Sequence, residues 1–292
     1  MHIPVLQKEL LKYLNPQKNE NFVDATIDGG GDALAVLQET EPKGKILGID
    51  WTPEAIDRLK QKIQETELKK RLILVCENFV HLKKIVVQEN FQDIAGVILD
   101  LGMSNWHLED IPRGFSFQKD EVLDMRYNPK EDLKAEDIVN QWSPAKIERI
   151  LREYGGERFA HRLTREITKA RQVKPIQTTQ ELVALIERVI PRKGKTHPAT
   201  KTFQALRIAV NQELENLAQV LPQAEDVLKP GGKLAVISFH SLEDNIVKHF
   251  FRQVENEGKG IILTKNPIVP SEPEKQQNPK SRSAKLRVIQ KN

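Results

Sequence analysis

The sequence holds one cysteine, Cys76, among 292 residues. A single thiol excludes an internal disulfide framework and any metal site built from several cysteines. No apolar run approaches the roughly 20 residues that span a bilayer, so no membrane anchor is expected. The opening stretch Met1–Glu9 shows neither a basic leader nor an apolar segment, so a soluble, reducing, cytoplasmic setting is expected. Histidines and acidic residues do not fall at a recognisable zinc spacing, and no metal is expected. Hydrophobic residues make up 39% and charged residues 29%. These values are ordinary for a globular protein and exclude a collagen, a coiled-coil rod and wholesale disorder. Cys76 falls in a strand-like run, where a buried, inert thiol is the expectation.

The net charge of +4 hides a strong asymmetry. Residues 141–207 carry 15 Lys and Arg against 6 Asp and Glu, and residues 259–292 carry 8 against 2. The remainder is acidic by 11 charges. Basic charge gathered into two segments points to a polyanionic partner, nucleic acid first. The bland alternative is a set of solvated helix faces, with Arg162 and Arg165 paired to neighbours such as Glu157 and Glu166.

Short apolar, β-branched runs occur at Asn21–Thr26, Lys45–Asp50, Leu72–Cys76, Gly96–Leu101 and Leu234–Phe239. Helical patterns lie between them, at Asp32–Glu39 and at Pro53–Glu65, where Ile56, Leu59 and Ile63 recur at helical spacing. This alternation predicts an α/β fold with a mostly parallel sheet. The rhythm stops after Leu101. From Asp110 to Arg207 only loops and helical patterns are expected, and a helix over Asn211–Leu228 then leads back to a strand. The chain therefore reads as 1–109, first part of an α/β domain; 110–207, an inserted helical domain; and 208–292, the remainder of the α/β domain with a basic tail. Asn266–Ser283 reads as a surface loop and Ala284–Gln290 as a closing strand.

Chemistry gathers at the strand ends. The first strand runs into Asp28-Gly29-Gly30-Gly31-Asp32, where missing Cβ atoms let a ligand approach the backbone. Asp50 ends the second strand 21 residues after Gly29, the spacing at which a carboxylate can bind a ribose diol. That pairing serves both NAD and S-adenosylmethionine (SAM). The dinucleotide fingerprint needs a glycine where Leu34 stands, which disfavours NAD. Asp100 ends the fourth strand, again where ligands sit in open α/β sheets, or it caps a turn. His240 follows the fifth strand and either caps the next helix or acts chemically.

Several segments then resemble one family. They are His2–Leu6, Gly48–Asp50, Asp100–Gly102, Arg113–Phe117, Leu123–Arg126, His197–Thr200, Phe203–Ile208, Phe239–Asp244 and Ser281–Arg287. In order and over nearly the whole chain they look like the small-subunit ribosomal RNA cytidine N4-methyltransferases called RsmH or MraW. The resemblance implies a class I, Rossmann-like SAM-dependent methyltransferase with an inserted helical domain that helps recognise RNA. SAM contacts would fall on Gly30, Gly31, Asp32, Asp50, Phe79, Asp100 and His107, with Asp50 on the ribose and Phe79 beside the adenine. The family has His where this chain has Asp32, Gln where it has His107 and Gly where it has Asp28. The SAM cation would tolerate the added carboxylates, but its carboxylate would be repelled.

The Asp/Asn-Pro-Pro-aromatic motif common in amine methyltransferases is absent; Asp100-Leu101-Gly102-Met103-Ser104 occupies its place. Asp100 is therefore the candidate acceptor for the target amine, and His240 the candidate for its released proton. The target base must leave its stack to reach such a site. Arg113, Arg126, Arg162 and Arg165 would contact phosphate. The expected partner is small-subunit ribosomal RNA or the assembling subunit, and a homodimer is a further possibility. The reading from another class is a relative that binds RNA in ribosome assembly without catalysis.

Overall fold

The structure, a computed structural model, describes residues 4–103, 108, 110–192, 194 and 197–292. The chain divides into two compact units, Met1–Gly102 with Leu214–Asn292, and Met103–Glu213. Among the described residues no helix is long and apolar enough to cross a membrane.

The first unit is built on a seven-stranded sheet in the order β3-β2-β1-β4-β5-β7-β6. Its strands are β1 Asn21–Asp24, β2 Ile46–Asp50, β3 Leu72–Cys76, β4 Ile94–Asp100, β5 Leu228–Ser238, β6 Gly260–Ile262 and β7 Lys285–Lys291. Strands β1 to β5 pair in parallel, and β7 runs antiparallel between β5 and β6. All five expected parallel strands are present. β4 is apolar without alternation because both its faces are covered: Val97 and Leu99 pack with Leu217 and Val247 on one side, Ile98 with Val36 and Leu59 on the other.

The helices of this unit are α1 Gln7–Leu14, α2 Gly31–Glu39, α3 Pro53–Ile63, α4 Leu82–Gln88 and, later in the chain, α10 Glu213–Val227 (whose first residue belongs to the second unit), α11 Ser241–Asn256 and α12 Glu272–Gln277. Pro53 sits at the first position of α3, where its missing N–H costs nothing. Ile56, Leu59 and Ile63 of α3 are buried, as their spacing requires.

The second unit holds α5 Ala135–Gln141, α6 Pro144–Glu153, α7 Ala160–Val173, α8 Thr179–Val189 and α9 Thr200–Asn211, and none of the strands. Leu123, Ile138, Ile147, Leu163, Leu182 and Leu206 form its core.

Two local expectations need correction and one is trimmed. The helix expected over Asn211–Leu228 is present as Glu213–Val227, cut short at its start by Gln212, which takes φ +50°. The Asn211 side chain turns inward there, donating to the Met125 carbonyl at 2.8 Å and accepting from the Tyr127 N–H at 2.9 Å, so the chain is pinned. The tail segment Asn266–Ser283 is not plain loop: Ser271 caps α12, and Ile268 bridges to Leu286. Cys76 is exposed rather than buried, because it ends β3, which lies at the edge of the sheet and among the described residues pairs with β2 alone.

Candidate active site

The strand order reverses between β1 and β4, and ligands of open parallel sheets bind at the carboxyl ends beside such a reversal. Asp24, Asp50 and Asp100 are the last residues of β1, β2 and β4. The glycine loop is laced to the same edge. Ala25 N–H donates to the Ile98 carbonyl and Ile27 N–H to the Ile49 carbonyl, both at 2.9 Å. Gly30 takes φ +75°, and a Cβ there would meet Leu59 Cδ1 at 2.9 Å; a Cβ on Gly31 would meet Pro4 Cγ at 2.5 Å. No larger residue fits either position without displacing its neighbour.

Asp50 accepts the Asp28 N–H at 2.9 Å on Oδ2 and the Thr52 N–H at 2.8 Å on Oδ1. It thus ties the glycine loop to the start of α3. Burial pushes its pKa up to about 6, and the Asp28 charge adds to the rise against those hydrogen bonds. Asp32 is buried in the first turn of α2, where the helix dipole favours an anion. Gln7 Nε2 donates to Asp32 Oδ1 at 3.2 Å and to the Gly31 carbonyl at 3.0 Å. Burial still pushes Asp32 up to about 6.

Asp24 accepts the Thr26 N–H at 3.1 Å, and Thr26 Oγ1 accepts the Asp100 N–H at 2.7 Å. Burial, then the Asp32 charge, raise Asp24 well above the carboxylate range. The same two causes raise Asp100, with Asp24, Asp28 and Glu243 adding to them. Asp100 Oδ1 is sealed from solvent and has no hydrogen-bond partner among the described residues. A carboxylate oxygen without a partner, surrounded by the charges of Asp24, Asp28, Asp32 and Glu243, fits a cationic or proton-donating ligand. Beside the glycine cradle and a carboxylate two strands away, these residues fit the sulfonium, ammonium and ribose of SAM.

Phe79 follows the Asn78 cap at the end of β3 and packs half-buried against the sheet's core. His107 lies outside the described residues. His240 is the cap of α11: its Nδ1 accepts the Glu243 N–H at 3.4 Å, while Glu243 accepts the Phe239 N–H at 2.8 Å and the His240 N–H at 3.2 Å. His240 Nε2 is buried and lies 3.2 Å from Glu243 Oε1. Asp244 then receives Arg287 Nε at 2.6 Å and Lys285 Nζ at 2.9 Å, which anchors α11 to β7. Gln7, Thr26 and Glu243 were not singled out as site residues from sequence. Only Glu243 had a signal, the spacing of a capping box after His240.

In the second unit Arg126 is engaged internally. Its Nε and Nη2 bond Asp124 at 2.7 and 2.8 Å, and Nη1 reaches the carbonyls of Pro129 and Glu131. Arg113 Nη1 donates to the Arg126 and Tyr127 carbonyls at 3.2 and 3.0 Å. Both arginines brace the Leu123–Tyr127 turn. Arg162 and Arg165 are exposed on α7, Arg162 lying 5.9 Å from the Phe159 ring centre. Neither forms an ion pair with Glu157 or Glu166; the Glu157 carboxylate is buried and accepts the Phe159 N–H instead. Arg158, Arg162, Arg165 and Lys169 recur at intervals of four, three and four, which places them on one face of α7 and the turn before it.

Comparison with known proteins agrees with this layout. Two curated relatives, from Heliobacterium modesticaldum and Persephonella marina, are both named Ribosomal RNA small subunit methyltransferase H. The first is 41% identical, covering 99% of this chain and 98% of its own; the second is 42% identical, covering 99% of each. The crystal structure of a putative rRNA-methylase from Clostridium thermocellum shares the fold at a TM-score of 0.51 and 14% identity over the whole of both chains. The model of the MraW methylase family matches residues 1–292, and the chain belongs to that family.

Proposed function

We propose that this protein transfers the methyl group of SAM to the exocyclic N4 of a cytidine in small-subunit ribosomal RNA. The observation that carries the reading is Asp100, whose buried Oδ1 has no hydrogen-bond partner among the described residues, at the carboxyl edge of the sheet beside the glycine loop. The names of the curated relatives support the substrate class. SAM supplies an electrophilic methyl on a sulfonium. Bound SAM would lie along the Gly30–Gly31 backbone, with Asp50 holding the ribose, Phe79 bordering the adenine, and Asp32 with Asp100 balancing the positive charge; His107 belongs to the same set by resemblance.

The cytosine amine is a weak nucleophile because its lone pair is delocalised into the ring. Asp100, ionised beside the sulfonium, would counter this by accepting a hydrogen bond from the amine and taking the proton released as the N–C bond forms and the methyl–sulfur bond breaks. Its raised pKa suits it to hold that proton. His240 caps α11 through Nδ1, and its buried Nε2 lies 3.2 Å from Glu243 Oε1, so it positions the start of α11 rather than taking the proton. The second unit is the RNA-recognition part of the chain. The α7 stripe of Arg158, Arg162, Arg165 and Lys169 runs along the phosphates, while Arg113 and Arg126 shape the turn that faces the RNA.

The test is incubation with labelled SAM and small subunits lacking the modification, followed by nucleoside mass spectrometry. N4-methylcytidine in the small-subunit RNA is the expected product. SAM binding without transfer to any cytidine would overturn the catalytic reading in favour of a binding protein.

A further inference from the structure

Three motifs of the second unit, Arg113–Phe117, His197–Thr200 and Phe203–Ile208, meet in one ring assembly that the reaction above does not use. The Phe117 and His197 rings stack with centroids 4.6 Å apart and planes 15° apart. Phe203, buried in the core, supports Phe117 edge-on at 5.6 Å and 82°. The imidazole is held in its plane. His197 Nδ1 accepts the Ala199 N–H at 3.2 Å, and Nε2 lies 3.4 Å from Glu187 Oε1. The Phe117 loop is tied to α8 by Gln180 Nε2, which donates to the Phe117 carbonyl at 3.0 Å. The result is a rigid, two-ring shelf whose outer member keeps 24% of its side chain exposed.

A cap alone does not require this construction. An Asn or Ser accepts the same N–H without a ring, and burying apolar area alone is better done by an aliphatic side chain. A preorganised flat ring at a wet surface is what an unstacked base needs as a partner, because every base has a π-face and the stack costs little further ordering. The charge of the neighbourhood agrees. Arg188, in the last turn of α8, and Arg192, in the connection that leads to His197, are both exposed and have no ion-pair partner among the described residues.

We propose that the Phe117–His197 stack is a nucleobase platform: an unpaired base of the ribosomal RNA substrate stacks on His197, with Arg188 and Arg192 on the adjoining phosphates. The proposal rests on the RNA-methyltransferase reading and names one place where the second unit grips its substrate.

Two variants separate the ring from the cap. His197→Asn keeps an acceptor for the Ala199 N–H and deletes the ring; His197→Phe keeps the ring and deletes the acceptor. Binding to a small-subunit RNA fragment is read by fluorescence anisotropy at fixed salt, with thermal midpoint and SAM affinity measured alongside. His197→Asn should weaken RNA binding by about tenfold or more, the scale of one lost base stack, with SAM affinity and thermal midpoint unchanged. His197→Phe should bind RNA within about threefold of wild type, as expected for a conserved stacking surface. Unchanged RNA affinity in a folded His197→Asn protein, or an equal loss in both variants, overturns the platform. If the wild-type protein itself fails to bind the RNA, the functional reading fails instead.

Discussion

The pH dependence of SAM binding is the sharpest consequence of the carboxylate-lined edge. Asp32 and Asp50 are each pushed up to about 6 by burial. A cationic ligand favours their ionised forms, so binding must expel whatever protons they hold. A group of pKa 6 that must ionise costs about tenfold in affinity, or about 1.4 kcal/mol, for each pH unit below 6. Between pH 7 and pH 5 the Kd for SAM should therefore rise about tenfold if one carboxyl must ionise, and about a hundredfold if both must. Asp32→Asn keeps an acceptor for Gln7 and removes one titration, so its profile should be shallower by about one power of ten. Calorimetric titration from pH 5 to 8, in two buffers of different ionisation enthalpy, gives both the Kd and the protons released. A Kd that holds constant from pH 5 to 7.5 with no proton release would refute the argument.

The ligand-free protein tests the same shifts with the opposite sign. Because the folded pKa values of Asp32 and Asp50 lie above the unfolded value of 3.8, the folded state holds the extra protons between about pH 4 and 6. Their contribution to stability is fully present below the unfolded pKa and is lost as pH rises through 6. SAM, which binds the ionised forms, should therefore stabilise the protein most above that window.

Much of this site was legible in the sequence, for identifiable reasons. Val97, Ile98 and Leu99 announce a strand buried on both faces because no polar residue interrupts them. Gly30, Gly31 and Asp50 stand out because close backbone approach and strand-end placement both leave marks at short spacing. What was not legible depends on contacts between residues far apart in the chain. Nothing near Gln7 announces that its amide will hold Asp32, and nothing near Thr26 announces that it will hold the Asp100 N–H. The Leu123–Arg126 motif that marked Arg126 as a phosphate ligand does not reveal that Asp124 and two carbonyls engage its guanidinium. β6, only three residues long, is too short to show a period, and its pairing with β7 is what defines it. The exposure of Cys76 follows from strand order, which no local pattern encodes.

Three further outcomes are expected. Asp50→Ala should lose most SAM binding and also lower the thermal midpoint, because the Asp28 and Thr52 N–H groups each lose an acceptor at about 1–3 kcal/mol; an unchanged midpoint would show that the loop does not depend on this carboxylate. Asp244→Ala should destabilise the protein by about 3–5 kcal/mol in thermal or urea unfolding, since it leaves Arg287, only 8% exposed, without its counter-charge; a loss below about 1 kcal/mol, the scale of a surface pair, would mean the cluster is not acting as a buried one. Reversing Arg162 and Arg165 to Glu should weaken RNA binding and reduce the slope of log K against log salt by about 1.4, at roughly 0.7 for each single-strand phosphate released, while SAM affinity stays constant. Because neither arginine is tied to Glu157 or Glu166, the reversal breaks no ion pair among the described residues and costs only the Arg162–Phe159 ring contact, and a folded double variant that keeps the wild-type slope would remove α7 from the RNA path.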